Sequence, residues 1–263
     1  MLNDFLSERE KKRYIKHIMI PEIGIEGQLK LKRAGVIVIG AGGLGCQVLQ
    51  NLVTCGVGNV ALVDYDIVDE TNLQRQFLYS SYDLGKLKSV IARTRLEQIN
   101  PMVKVNAINL RLDYSNSIKT LKDFNIVVDA TDNIETRYVI NDSCIILDKP
   151  MVHGAIYKFE GQVSVFNYKG GPTYRCYNPP VYAGSFKDPV PSEVGLWGVL
   201  PGITGTLMAN EVIKIITGTG EVLSGIILSF NILTNDYRSL NIENIPSNHD
   251  IKELSSYFIQ NKN

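Results

Sequence analysis

The stretch VIVIGAGGLG, residues 36–45, is a run of Val and Ile that ends in a burst of glycine. A continuous apolar run of β-branched residues reads as a strand buried on both faces, of the kind found in parallel sheets. Gly40, Ala41, Gly42, Gly43, Leu44 and Gly45 fit G-x-G-x-x-G between that strand and a helix. Glycine lets the backbone approach a phosphate, and the helix N-terminus that follows offers N–H donors and a positive dipole end. The spacing therefore predicts a nucleotide phosphate at this turn. It does not separate NAD from ATP.

The rest of the chain alternates in the same manner. Strands are predicted over 59–66, 104–112 and 125–131, and helices over 43–54, 86–99 and 134–147. The expected fold class is α/β, a Rossmann-like, mostly parallel sheet with helices on both faces. MVHGA, GQVSVFNY, GIILSFN and NDYRSLNI, in the second half, are strands with few helices between them, so an antiparallel extension is expected there. A helix is expected over 203–217. Before the glycine turn, residues 7–19 read as a helix opened by a Ser7–Glu10 capping box and stopped by Pro21. After the last strand, Ile251, Leu254 and Phe258 fit an amphipathic helix over 247–260. The predicted organisation is one compact domain. It comprises an N-terminal helical segment (1–30), a nucleotide-binding half (31–150), a second half (151–240) and a tail (241–263). Residues 170–195, rich in Gly, Pro and Tyr, form a long loop.

Composition removes several function classes. Lys plus Arg and Asp plus Glu number 27 each, so the net charge is zero and gives no footprint for nucleic acid or an anionic membrane. No apolar stretch suits a bilayer span, and MLNDFLSEREKKRY has no signal-peptide core, so a cytoplasmic location is expected. The four cysteines, Cys46, Cys55, Cys144 and Cys176, contain no C-x-x-C pair, so neither a disulfide framework nor a zinc site is expected.

Charged residues converge on the mouth of the glycine turn. Asp64 ends the second strand about twenty residues on, where a carboxylate accepts ribose hydroxyls. Asp66, Asn72, Arg75 and Gln76 follow it, Lys88 opens the next helix, and Asp132 and Asn133 lie at the end of VVDATDN. A hydride transfer creates no new phosphate charge and needs little of this set. A triphosphate with magnesium needs cations for its phosphates and a carboxylate for the metal. Arg13 and Lys16 lie one turn apart on the first helix, where a solvated basic face is the plain alternative.

RYIKH, IPEIGIEGQLKLKRAGVIVIGAGGLG, GVGNVALVDYD, TNLQRQF, VVDATDN, EGQVSVF and GVLPGITGTLMANEVIK, in that order from about residue 8 to 240, resemble the MoeB/ThiF/HesA family. These are bacterial relatives of the ubiquitin-activating enzymes. The resemblance implies an adenylyltransferase that uses ATP and magnesium on the C-terminal Gly-Gly carboxylate of a small ubiquitin-like sulfur carrier protein, for thiamin, molybdopterin or related sulfur chemistry. It implies that Gly42 and its neighbours wrap the phosphates and that Asp64 takes the ribose. Asn72, Arg75 and Lys88 would contact the phosphates and Asp132 would hold magnesium. It also implies a homodimer in which a basic residue of the N-terminal segment reaches the partner's site.

Three departures narrow that expectation. Lys16 stands where the family usually carries an arginine, with Arg13 as the alternative. Of the family's two zinc-binding C-x-x-C pairs, the first falls on TYRC, where Thr173 replaces one cysteine and Cys176 remains; the second would follow SLNIEN and is missing. The cysteine that some members place on the crossover loop, here about 178–195, is replaced by Pro191 or Ser192, so sulfur is expected from a separate donor and Cys176 is not expected to be a nucleophile. Three other readings stay open at this point. They are an enzyme that adenylates a peptide or small-molecule carboxylate, a carrier-binding scaffold with weakened catalysis, and an NAD-dependent dehydrogenase.

Overall fold

A computed structural model describes residues 5–179 and 195–254. One eight-stranded sheet runs through it. Its strands are β1 (Gly35–Ile39), β2 (Asn59–Val63), β3 (Lys104–Ile108), β4 (Ile126–Asp129), β5 (Met151–Tyr157), β6 (Glu160–Phe166), β7 (Ile226–Asn231) and β8 (Asp236–Asn241). Their order is β3-β2-β1-β4-β5-β6-β7-β8. Pairing is parallel from β3 across to β5 and antiparallel from β6 onward. The antiparallel extension thus begins one strand later than MVHGA suggested, because a helix, α7 (Ile134–Ile146), still separates β4 from β5.

Alternate residues of β1 feed two apolar layers. Val36 and Val38 face one, shared with Leu44, Val48 and Leu52 of α4 (Gly43–Cys55) and Met208 and Val212 of α9 (Leu200–Thr217). Ile37 and Ile39 face the other, with Val139 and Ile140 of α7 and the rings of Phe166 and Tyr174. Both faces of the strand are buried, which is why its sequence is apolar without alternation. α4 and α9 lie close together, since a Cβ on Gly205 would come within 2.7 Å of the Leu44 carbonyl. Helix α5 (Lys88–Ile99) leads into β3.

Several expectations shift. The predicted helix 7–19 is two short ones, α1 (Glu8–Arg13) and α2 (Ile15–Ile18), separated at Tyr14. The Tyr14 ring is pinned: its hydroxyl accepts from Asn100 Nδ2 at 2.8 Å, and a Cβ on Gly56 would lie 2.5 Å from it. The expected Ser7–Glu10 capping box is present. A further helix, α3 (Gly24–Arg33), precedes β1 where no element was predicted; Gly24 and Gly27 hide its period. The second strand stops at Val63 and the third at Ile108, short of 66 and 112. α6 (Ser117–Leu121) and α8 (Tyr174–Tyr177) are short additions, the second inside the predicted loop. The tail helix is not found where described: Pro246–His249 is a 3-10 turn and 251–254 are not helical, while Phe258 lies outside the described residues, as do Pro191 and Ser192. Among the described residues no helix is long and apolar enough to cross a membrane.

A Cβ on Gly45 would sit 1.9 Å from the Gly40 carbonyl oxygen, a backbone atom that cannot swing away. Gly45→Ala is therefore expected to destabilise the fold by about 3 kcal/mol. Thermal unfolding of the purified variant checks this, and an unchanged midpoint would contradict it.

Candidate functional site

The glycine turn is built by its neighbours. Gly40 adopts φ 93°, and a Cβ there would lie 2.8 Å from the Ala130 carbonyl where the chain leaves β4. Gly43 packs on Pro201 at 3.0 Å by the same measure. Gly42 differs: a Cβ there would meet only Gln76 Nε2, at 3.7 Å. Gly40, Gly43 and Gly45 are thus constrained by packing, whereas a Cβ at Gly42 would make only an ordinary contact. Gly42 is also the N-cap of α4, and no side chain caps that helix. Its first N–H groups have no side-chain cap, an arrangement suited to an anion. Ala41 and Leu44 contribute backbone only, because both side chains are buried.

Asp64 fixes this arrangement. One carboxylate oxygen accepts the Ala41 N–H at 2.7 Å and the other accepts the Asp66 N–H at 2.8 Å. The Ala41 carbonyl in turn accepts from the Tyr79 hydroxyl at 2.8 Å and from the Cys46 thiol at 3.2 Å. Burial raises the Asp64 carboxyl above its ordinary value, although the two N–H donors and Lys88 pull the other way. Each oxygen keeps a lone pair for a ligand hydroxyl. Cys46 is inert by environment, its thiol pushed up to about 12 by burial.

Around the turn stand the cations. Lys88 is almost fully buried and its Nζ lies 3.1 Å from Asp66 Oδ2. Arg75 donates to the Thr71 carbonyl at 2.9 Å, and its Cγ flanks Gly43. Asn72 is half-buried beside Thr71. Gln76 is buried with its Oε1 left without a partner, an orphaned polar atom beside the turn. Asp132 is exposed, two residues past the Ala130 carbonyl that abuts Gly40. Asn133 has a structural task, since its Oδ1 caps α7 by accepting the Thr136 N–H at 2.9 Å.

Arg13 and Lys16 do not reach this turn within one chain. Arg13 donates to the Ile99 carbonyl at 2.6 Å, just before β3, and Lys16 is exposed. Tyr14 between them touches Gly56, at the far end of α4, a helix about 20 Å long by its rise per residue.

One cluster escaped the sequence reading. Asp129, wholly buried at the end of β4, bonds His153 Nδ1 at 2.7 Å and the Thr131 hydroxyl at 2.6 Å, with Arg137 Nε at 3.8 Å. Burial works to raise the Asp129 carboxyl, but His153, Arg137 and Thr131 hold it below its ordinary value; burial keeps His153 neutral, its value lowered despite Asp129. A carboxylate inside an apolar strand was the available signal, because such a group requires buried partners.

The ThiF family pattern matches residues 14–250. The chain belongs to the ThiF family. It is 45% identical over 236 residues to a probable molybdopterin-synthase adenylyltransferase of Porphyra purpurea, covering 90% of this chain and 62% of that one. The match to the sulfur carrier protein adenylyltransferase of Thermus thermophilus is 44% over 246 residues, with 91% and 90% covered. Among solved structures, E. coli MccB with MccA-N7isoASN superposes with a TM-score of 0.80 at 24% identity, over 95% of this chain and 76% of that one; this likeness concerns the fold. The chain thus spans less than two thirds of the Porphyra relative and nearly all of the Thermus one.

The buried pair sets a pH dependence. A histidine whose folded value lies below its unfolded value of about 6.5 lets the unfolded chain take up the proton first, so stability falls as pH drops through that value. A depressed aspartate adds a second loss at more acid pH. The unfolding midpoint is expected to fall between about pH 7 and about pH 5, with a flatter slope in His153→Gln. Equal slopes, measured by thermal unfolding across that window, would contradict the assignment.

Proposed function

We propose that this protein is an adenylyltransferase that uses ATP to activate the C-terminal Gly-Gly carboxylate of a small ubiquitin-like sulfur carrier protein. One observation carries the reading: Arg75 packs on Gly43 at the uncapped N-terminus of α4, and buried Lys88 pairs with Asp66 and acts on Asp64, the carboxylate that holds the turn at Ala41. The names of the relatives from Porphyra purpurea and Thermus thermophilus support the same chemistry. A carboxylate oxygen of the carrier attacks the α-phosphorus of ATP. The bond from that phosphorus to the bridging oxygen breaks, and pyrophosphate leaves with the electron pair. Two anions are pressed together in this step, so the work of the site is charge compensation and alignment.

In this reading the N–H groups at Gly42–Gly45 and the side chains of Asn72, Arg75 and Lys88 hold the phosphates, and Asp64 receives the ribose. Gln76 supplies a buried polar atom that needs a partner from the ligand. Magnesium, when bound, would neutralise phosphate charge, and Asp132 is the side chain that would hold it. Among the described residues no group of three or more His, Cys, Asp or Glu could hold a metal by itself. A single carboxylate is in keeping with Mg2+, which is commonly held by one or two carboxylates together with substrate phosphates and water. Lys16, remote from the turn of its own chain, would act across a homodimer, with Arg13 engaged at Ile99. The sequence 180–194 has no cysteine, so the adenylate is the endpoint and sulfur comes from a separate donor.

ATP–pyrophosphate exchange tests this. Exchange is expected only with a carrier ending in Gly-Gly, and Asp132→Ala or Lys88→Ala should lower its rate at least about a hundredfold. Exchange driven by a free peptide or small carboxylate would redirect the substrate assignment, and ATP binding without any exchange would support a scaffold. For the trans role, Lys16→Ala mixed with Arg75→Ala should regain activity in heterodimers, where one site is intact. No recovery despite subunit mixing would remove Lys16 from the mechanism.

A further inference from the structure

Two matching turns meet at the sulfur of Cys176. The first runs from Thr173 to Cys176 and is closed by the Cys176 N–H donating to the Thr173 carbonyl at 3.0 Å. The second runs from Ile245 to Asn248 and is closed in the same way, Asn248 N–H to Ile245 carbonyl, also at 3.0 Å. Each presents two positions three residues apart. Facing turns of this kind, with cysteine at all four positions, are the C-x2-C geometry of structural zinc sites.

The donor set here does not fit that metal. The four positions carry Thr, Cys, Ile and Asn, which is one thiol, no imidazole and no carboxylate. Structural zinc takes four sulfur, nitrogen or carboxylate ligands. Instead the other three positions address the one sulfur. The Ile245 N–H donates to Sγ at 3.4 Å and Asn248 Nδ2 donates to it at 3.5 Å. Thr173 Oγ1 lies 3.5 Å from it, and the Ile245 carbonyl, at 3.8 Å, is placed to accept the thiol proton.

We propose that Thr173, Cys176, Ile245 and Asn248 form a metal-free knot, a sulfur-centred hydrogen-bond hub that joins the C-terminal turn to α8 where a four-ligand zinc site would otherwise do so. The two sides of the knot differ in firmness. α8 is anchored on α7: the Tyr174 N–H donates to Asn141 Oδ1 at 2.8 Å, and Arg175 grips Asp142 through two bonds of 2.8 and 2.7 Å, both buried. The 245–248 turn is largely exposed. Next to it, Asn244 donates to the Gly170 carbonyl at 2.9 Å and His249 lies 2.8 Å from Asn244 Oδ1. The hub therefore fixes the exposed turn to the one anchored on α7. It also places the end of β8's exit chain beside the root from which the chain continues past residue 179.

Hydrogen exchange and metal content test the proposal on the full chain. Protein purified from zinc-supplemented medium should carry no stoichiometric zinc, and a chelator should leave its unfolding midpoint unchanged. Cys176→Ala should speed exchange of the Ile245 amide about tenfold, the size expected for loss of one hydrogen bond, while amides of β1 keep their rates. The triple variant T173C/I245C/N248C, with Cys176 retained, should take up one zinc per chain, and its midpoint should then fall on chelation. Stoichiometric zinc in the unmodified protein would overturn the proposal, as would unchanged Ile245 exchange in Cys176→Ala. A folded triple variant that binds no zinc would overturn the convergence of the four positions. Should the triple variant fail to fold, the first two measurements still decide.

Discussion

The bond from the Ala41 N–H to the Asp64 carboxylate is the contact on which the candidate site depends. It ties the turn after β1 to the end of β2, and Tyr79 holds the next peptide through the Ala41 carbonyl. Without these ties a glycine-rich turn would be free to sample many backbone states, since glycine carries the largest conformational freedom of any residue. With them, the N–H groups at the head of α4 hold one direction. Preorganised donors of this kind gain most from phosphate, because no reorganisation is required when charge arrives. Two carboxylate oxygens that would otherwise serve a ligand alone are thus also part of the scaffold.

The sheet carries the rest. β1 is buried on both faces, so α4 and α9 can lie on one side and α7 on the other while every strand of the parallel half ends at the same edge. That edge collects Gly42, Lys88 and Asp132 from three separate strand–helix units, in keeping with the rule that ligands of open α/β sheets bind at the carboxyl ends of the strands. A second buried ion cluster, Asp129 with His153 and Arg137, sits under the same edge and stiffens the exit of β4.

Much of this was legible in the residues. The apolar run 36–39, the glycine spacing and the strand–helix alternation follow from local rules, and the parallel half of the sheet matches them. Arg75 and Lys88 were legible as cations beyond strand ends; Arg75 packs near Gly43, and Lys88 pairs with Asp66. What was not legible depended on distant partners. The break at Tyr14 is set by Asn100 and Gly56, far along the chain. Within the described residues, the start of the tail is a turn held at Cys176 rather than a helix set by its own apolar spacing. Asp129 could be paired with His153 only once β4 and β5 were known to be neighbours.

The central claim is that the turn at Gly42 presents ATP for attack at its α-phosphorus. The most direct measurement follows ATP labelled at the α-phosphate in the presence of a carrier ending in Gly-Gly, with an acid quench. Label is expected on the carrier as an acid-stable acyl-adenylate, with unlabelled pyrophosphate released in equal amount. Release of labelled ADP with inorganic phosphate, or label that never leaves bound ATP, would contradict it.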